Sequence, residues 1–285
     1  MSGVRLGVGH ANTLRRDAGE RRVGQQRWSA SGPNPQHGDD RVGAFPREAV
    51  ISTERTTGQG ASAGTAASPA VRQYIDDFRP EDDVLAAARS RGDEIGARAV
   101  TPATGAILQW LAQFVHARNV AEVGTGVGIS GVWLLRGMAD DGILTTVDDE
   151  AENTRAARQA FADAGVPPQR TRLITGRPLE VLSRLADTAY DMVFLNGETQ
   201  ETARYLDDAR RLLRPGGLIV IDRVLAEGRV PDPAQRDADA IAMRTLLSEV
   251  SVDEQVRPLL LPVGGGLLVA QKVRDAVQGA DADAN

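Results

Sequence analysis

The chain contains no cysteine, which removes disulfide frameworks, cysteine-ligated zinc, iron–sulfur clusters and thiol nucleophiles at once. Histidine is nearly as scarce, with His10, His37 and His116 the whole set. A multi-histidine metal centre is therefore excluded, as is histidine triad chemistry unless His116 carries it. No stretch approaches about eighteen apolar residues free of charge, so no membrane span is expected. Lysine occurs once, as Lys272, and the net charge is −6. That balance offers no basic stripe for nucleic acid. What remains, 41% apolar and 25% charged residues over 285 positions, suits one large soluble domain or two small ones. The expected partner is a small molecule, with neither nucleic acid nor membrane, and the expected location is cytoplasmic.

Charge and apolar content are unevenly spread. Residues 1–70 hold nine arginines against six acids, leaving −9 on the other 215 residues. The same stretch has eleven glycines, two aromatics (Trp28 and Phe45) and no sustained apolar period. It cannot bury enough surface to offset chain entropy. Residues 1–70 are thus expected to be a disordered or over-extended leader, with Val50 an alternative start. Residues 71–275 form the domain, and 276–285 a flexible tail.

Within that domain helical and extended patterns alternate. Val84, Leu85, Ala88 and Ile95 suggest one amphipathic helix or a pair. Thr101-Pro102 reads as the cap and first residue of a helix whose face carries Ile107, Leu108, Leu111, Phe114 and Val115. Strands are expected at 119–123, 143–147, 172–175, 191–195 and 218–221. Helices follow at about 129–134, 150–164, 178–186 and 200–213. This alternation predicts an α/β, doubly wound, mostly parallel sheet covered on both faces. After a helix near 235–250, two strands (255–263 and 266–273) flank Gly264-Gly265, so one late strand should run antiparallel. Trp110, Phe114 and Trp133 are expected in the core, and His116 at a helix end.

The chemistry-bearing motif is Glu122-Val123-Gly124-Thr125-Gly126-Val127-Gly128-Ile129-Ser130, at the exit of the first strand. Ligands of such sheets bind at this switch point. Gly124, Gly126 and Gly128 let backbone N–H groups approach a ligand, and the following helix adds a positive end. A dinucleotide fingerprint requires Gly or Ala where Ile129 stands. Glu122 also sits poorly beside a pyrophosphate, which disfavours a nicotinamide-dependent oxidoreductase. The second strand ends in Asp148-Asp149-Glu150. Asp148 is placed to accept from ribose hydroxyls, with its two neighbours as first-turn charges of a helix.

These residues, with 173–182 (LITGRPLEVL), 190–198 (YDMVFLNGE) and 212–221 (LLRPGGLIVI), resemble the class I S-adenosylmethionine-dependent O-methyltransferases of the catechol and caffeoyl-CoA type. The resemblance covers about residues 72–273. It implies a seven-stranded, Rossmann-like sheet with one reversed strand, S-adenosylmethionine as cofactor, and a homodimer. It implies further that Val100, Gly124, Thr125 and Glu122 contact the methionine end and that Ser130 fixes its carboxylate. Asp148 would grip the ribose, Gly176 and Arg177 would border the adenine, and Asn196 would lie under the sulfonium.

The resembled family holds a divalent cation with two acids and an asparagine. Here Asn196 replaces the first acid, Asp222 matches the second and Arg223 replaces the asparagine, while Thr199 stands where many members have lysine. One carboxylate beside a fixed cation is a poor Mg²⁺ site. Methyl transfer without metal to a hydroxyl of a small molecule, with phenols among the candidate acceptors, is therefore the expectation. Arg223 either pairs with Asp222 or meets an anionic substrate oxygen. Asp222 and Glu198 both remain candidates for the general base. A module that binds the cofactor without transferring methyl is the other reading of the altered positions.

Overall fold

The computed structural model describes residues 68–274. The expected leader and tail lie outside them, except that Ser68–Ala70 already belong to the domain. The Ser68 hydroxyl accepts from Val71 N–H at 3.3 Å and opens α1 (Pro69–Phe78). Asp82 caps α2 (Asp83–Ile95), which a left-handed Gly96 closes. Thr101 caps α3 (Pro102–Phe114) through Thr104 N–H at 3.2 Å. At its far end Ala117 N–H reaches Ala112 C=O (2.8 Å) and His116 N–H reaches Gln113 C=O (3.1 Å). His116 occupies the left-handed position of this Schellman closure, at φ 51°, so its role there is to end the helix.

The remaining elements are β1 (Asn119–Val123), α4 (Ile129–Gly137), β2 (Ile143–Asp148), α5 (Ala151–Asp163), β3 (Thr171–Thr175), α6 (Pro178–Leu182), β4 (Tyr190–Leu195), α7 (Thr202–Leu212), β5 (Leu213–Ile221), α8 (Ala238–Val252), β6 (Val256–Leu261) and β7 (Leu267–Lys272). Helix α6 is shorter than the expected 178–186. The Pro215-Gly216-Gly217 turn falls inside β5, where the register jumps from Tyr190↔Leu213 to Met192↔Leu218.

The sheet order is β3-β2-β1-β4-β5-β7-β6. All neighbours pair in parallel except β7, which is antiparallel to both β5 and β6. The chain winds outward from β1 in one direction and from β4 in the other, so their shared C-terminal edge is the switch point. Helices cover both faces, which is why β4 is buried throughout and runs apolar from Met192 to Leu195. Alternate residues serve alternate faces: Val120, Met192 and Phe194 pack under α2–α5, whereas Ala121, Val193 and Leu195 pack under α6–α8.

Helices α3 and α4 touch almost backbone to backbone. Trp133, 2% exposed, lies over Gly105, where a Cβ would fall 2.3 Å from the indole. A Cβ on Gly137 would fall 2.1 Å from the Gln109 carbonyl oxygen. Backbone cannot yield as a side chain can, so Gly137→Ala is expected to destabilise the fold by about 1–3 kcal/mol or more. A lower urea midpoint with unchanged slope would register this.

Two aromatic placements differ from expectation. Trp110 and Phe114 are 60% and 64% exposed and stack on each other at 5.1 Å. The buried stripe of α3 runs through Thr104, Gly105, Leu108, Leu111 and Ala112 towards α4, which leaves the 110/114 flank outside. The two rings share the i, i+4 spacing and cover one another.

Candidate active site

At the end of β1 the chain turns at Gly124, whose φ of 85° and close approach exclude a side chain. A Cβ there would meet the Asn196 carbonyl oxygen at 2.5 Å. This contact brings the ends of β1 and β4 together. A cavity of about 360 Å³ opens above them, lined by Gly124, Gly126, Asp148, Asn196, Glu198 and Arg223 among the expected site residues. Five acidic side chains and two arginines border it, giving a locally negative mouth.

Asp148 is fixed by its own surroundings. Oδ2 accepts from Gly126 N–H at 2.8 Å, and Oδ1 accepts from Glu150 N–H and Asn153 Nδ2, both at 3.0 Å. A carboxylate has about four lone-pair sites, so one remains on Oδ2 for a ligand. The three contacts hold the glycine bend, the end of β2 and the first turn of α5 in one arrangement.

Glu122 does not line the cavity. It is 1% exposed and shares the parity of Val120, which turns it under α4. Ser130 Oγ and Thr146 Oγ1 each donate to it at 2.6 Å, and Thr125 and Thr146 hydroxyls meet at 2.6 Å. Burial raises its pKa to about 7, the two hydroxyl donors opposing and the nearby Asp148 charge adding. Glu122, Thr125 and Ser130 thus form a buried polar brace behind the bend. Val100 is buried in the core, and Gly128 packs against Ala157 of α5. Gly176 and Arg177 lie beside the cavity without lining it, and Arg177 forms a loose 3.6 Å pair with Glu180.

On the far side of the cavity, Asp222 follows β5. Its Oδ1 is buried without a hydrogen-bond partner among the described residues, and burial raises its pKa against the lowering effect of Arg223. The expected Asp222–Arg223 ion pair does not form. Arg223 adopts φ 58° and sends Nη2 to the carbonyl oxygens of Asn196 (3.0 Å) and Gly197 (3.1 Å). The donor set at 196, 222 and 223 therefore does not fit a divalent cation. A guanidinium occupies the carbonyls of Asn196 and Gly197 just past β4, and no cluster of three His, Cys, Asp or Glu suited to a metal occurs among the described residues.

Several lining residues carried no motif. Gly96–Arg98 arrive from the α2–α3 connection, Asn153 from the start of α5 and Tyr205 from α7, while Pro178, at the start of α6, belongs to the 173–182 motif. Tyr205 donates its phenolic proton to Glu201, and burial together with that acid raises its pKa. Only Asn153, one turn past Asp148, stood close enough to a recognised motif to be found from spacing.

A doubly wound sheet with an acid-lined cavity at its switch point and an aspartate at the end of β2 defines the nucleoside-binding α/β enzymes. Comparison with known proteins narrows this class. The family model described as O-methyltransferase matches residues 86–273. A protein of Mycobacterium sp. (strain JLS) named as an O-methyltransferase is 48% identical over 223 residues, spanning 78% of this chain and 100% of that one. Among solved structures, the Bacillus cereus O-methyltransferase in complex with S-adenosylhomocysteine is 29% identical, with a TM-score of 0.65, covering 71% of this chain and 97% of the other. The Streptomyces achromogenes O-methyltransferase involved in tomaymycin synthesis, in complex with S-adenosylmethionine, is also 29% identical at a TM-score of 0.65, covering 72% and 96%. The chain belongs to the O-methyltransferase family and is a methyltransferase enzyme.

Proposed function

We propose that this enzyme binds S-adenosylmethionine in the cavity above β1 and β4 and methylates a hydroxyl of a small molecule without a divalent metal. The observation that carries the reading is the cavity's charge: five acids against two arginines face a ligand that bears a sulfonium and an ammonium. When bound, that ligand supplies an electrophilic methyl group on positive sulfur. Asp148 holds a sugar hydroxyl through the free lone pair of Oδ2, and the glycine bend presents backbone to the ligand without side-chain obstruction.

The protein's remaining task is alignment and proton removal. Asp222 is the proton acceptor: its unpartnered Oδ1 is a free acceptor beside the site, and burial makes it more basic than an ordinary carboxylate. Arg223, anchored on two carbonyls, places a fixed positive charge at the cavity wall, where it stabilises negative charge on the acceptor oxygen. Glu198 lies at the exposed rim, further from a desolvated environment.

Titration calorimetry with S-adenosylmethionine, S-adenosylhomocysteine and NAD tests the cofactor. Heat with the first two and none with NAD is expected. Turnover of a phenol and catechol panel should survive EDTA unchanged. Loss with EDTA and restoration by Mg²⁺ would overturn the metal-free reading, and NAD binding would overturn the cofactor.

A further inference from the structure

Asn196-Gly197 is the chain's one asparagine–glycine pair. It stands just past the end of β4, and both residues are half-buried and line the cavity above β1 and β4. The Asn196 backbone N–H is fixed in the sheet, donating to Val123 C=O at 2.9 Å. The Gly197 N–H and the Asn196 side-chain amide make no hydrogen bond to the other described residues, and the amide is open to water from the cavity. Gly124 leaves the Gly197 nitrogen bare, since a Cβ there would lie 3.0 Å from it. Arg223 holds the other side of the same peptide, donating Nη2 to the Asn196 carbonyl oxygen at 3.0 Å. A guanidinium on a peptide carbonyl draws electron density from the attached N–H and makes that proton easier to remove.

We propose that Asn196-Gly197 is a self-modification site, at which the ligand-free enzyme loses its side-chain amide and, with it, the cavity. Solvent hydroxide takes the Gly197 N–H proton, and the nitrogen electron pair forms a bond to Asn196 Cγ. The Cγ–Nδ2 bond breaks, and that nitrogen takes up a proton from water and leaves as ammonia. Water then opens the five-membered imide. Breaking the new nitrogen–Cγ bond leaves aspartate. Breaking the original peptide bond leaves isoaspartate, whose main chain runs through Cβ and Cγ and is one carbon longer.

The fold has no room for that extra carbon. A Cβ on Gly124 would already meet the Asn196 carbonyl oxygen at 2.5 Å, so the ends of β1 and β4 touch where the chain would lengthen. Isoaspartate therefore parts the two strands that form the cavity floor and takes away the two carbonyls that anchor Arg223. A ligand seated in the cavity covers the Gly197 nitrogen and pins the amide, so bound cofactor protects the site. That protection rests on the function proposed above, whereas the modification itself needs only water and hydroxide.

The test is peptide mapping of the full chain aged at pH 8.5, with and without S-adenosylhomocysteine. Trypsin releases residues 185–204, in which Asn196 is the one asparagine. A form of this peptide heavier by one mass unit, split into two chromatographic species, should accumulate. Its rate should exceed that at Asn153 at least about tenfold, because the next residue there, Thr154, keeps its N–H on Glu150 C=O at 3.2 Å. The thermal midpoint and the calorimetric binding of S-adenosylhomocysteine should fall in step with the isoaspartate formed. S-adenosylhomocysteine at about 100 times its Kd should slow the modification at least about tenfold. A mass at 196 as constant as that at 153 overturns the site. Modification with midpoint and binding unchanged overturns its consequence, and equal rates with and without a ligand that does bind overturn the protection. Fresh enzyme that binds no S-adenosylhomocysteine overturns the cofactor reading and the protection with it, while the mass map and the midpoint still decide the site.

Discussion

Asp222→Asn is expected to lower kcat by about 10²–10⁴-fold, the usual worth of a positioned general base. Asparagine keeps the shape and removes only the capacity to take up a proton. Asp222 does not line the cavity, so the Kd for S-adenosylhomocysteine should stay within about twofold. The pH profile supplies a second signature. Burial moves the Asp222 pKa up, so the acid limb of kcat should lie above the ordinary carboxylate range in the parent. That limb should be missing from the residual activity of the variant. Steady-state rates within threefold of the parent, or an unchanged acid limb, would remove Asp222 from the proton path.

The second large effect concerns Glu122 and stability. Its pKa is about 7 in the fold against 4.5 as an ordinary side chain, so between those values the native state binds the extra proton. Stability contributed by this group is therefore present below about pH 4.5 and is lost as pH rises through 7. The full loss is on the order of 3 kcal/mol. Glu122→Gln carries no titrating proton, and the Ser130 and Thr146 hydroxyls can turn to serve its amide. The variant should gain on the parent from about pH 5 to about pH 7 and level off above it. Denaturant melts at intervals across that window measure the difference; parallel curves for the two proteins would show that Glu122 does not titrate there.

Much of this architecture is legible in the sequence because a parallel sheet buried on both faces must use apolar runs such as Met192–Leu195, and glycines must mark the exit of β1. The switch-point cavity follows from those two facts. Glu122 shows how a correct element can still yield a misplaced side chain: strand parity with Val120, visible in the sequence, turns it under α4 rather than towards a ligand. Trp110 and Phe114 escaped for a different reason. Helical spacing gives the angle between residues and not which flank meets a neighbour, and α4 packs on the glycine-bearing side of α3. The direction of the Arg223 guanidinium could not be read, since its left-handed backbone, not its type, sends Nη2 to the Asn196 and Gly197 carbonyls.

Because β7 inserts between β5 and β6, the strand that comes last in chain order among the described residues is an interior one. Until residues 267–272 emerge, Leu218–Ile221 keep an open hydrogen-bonding rim, and the preceding β6 has no ladder to join. Closure of the sheet consequently waits on residues 267–272 rather than proceeding by strand-by-strand addition, and a chain that has not yet exposed them carries an adhesive border.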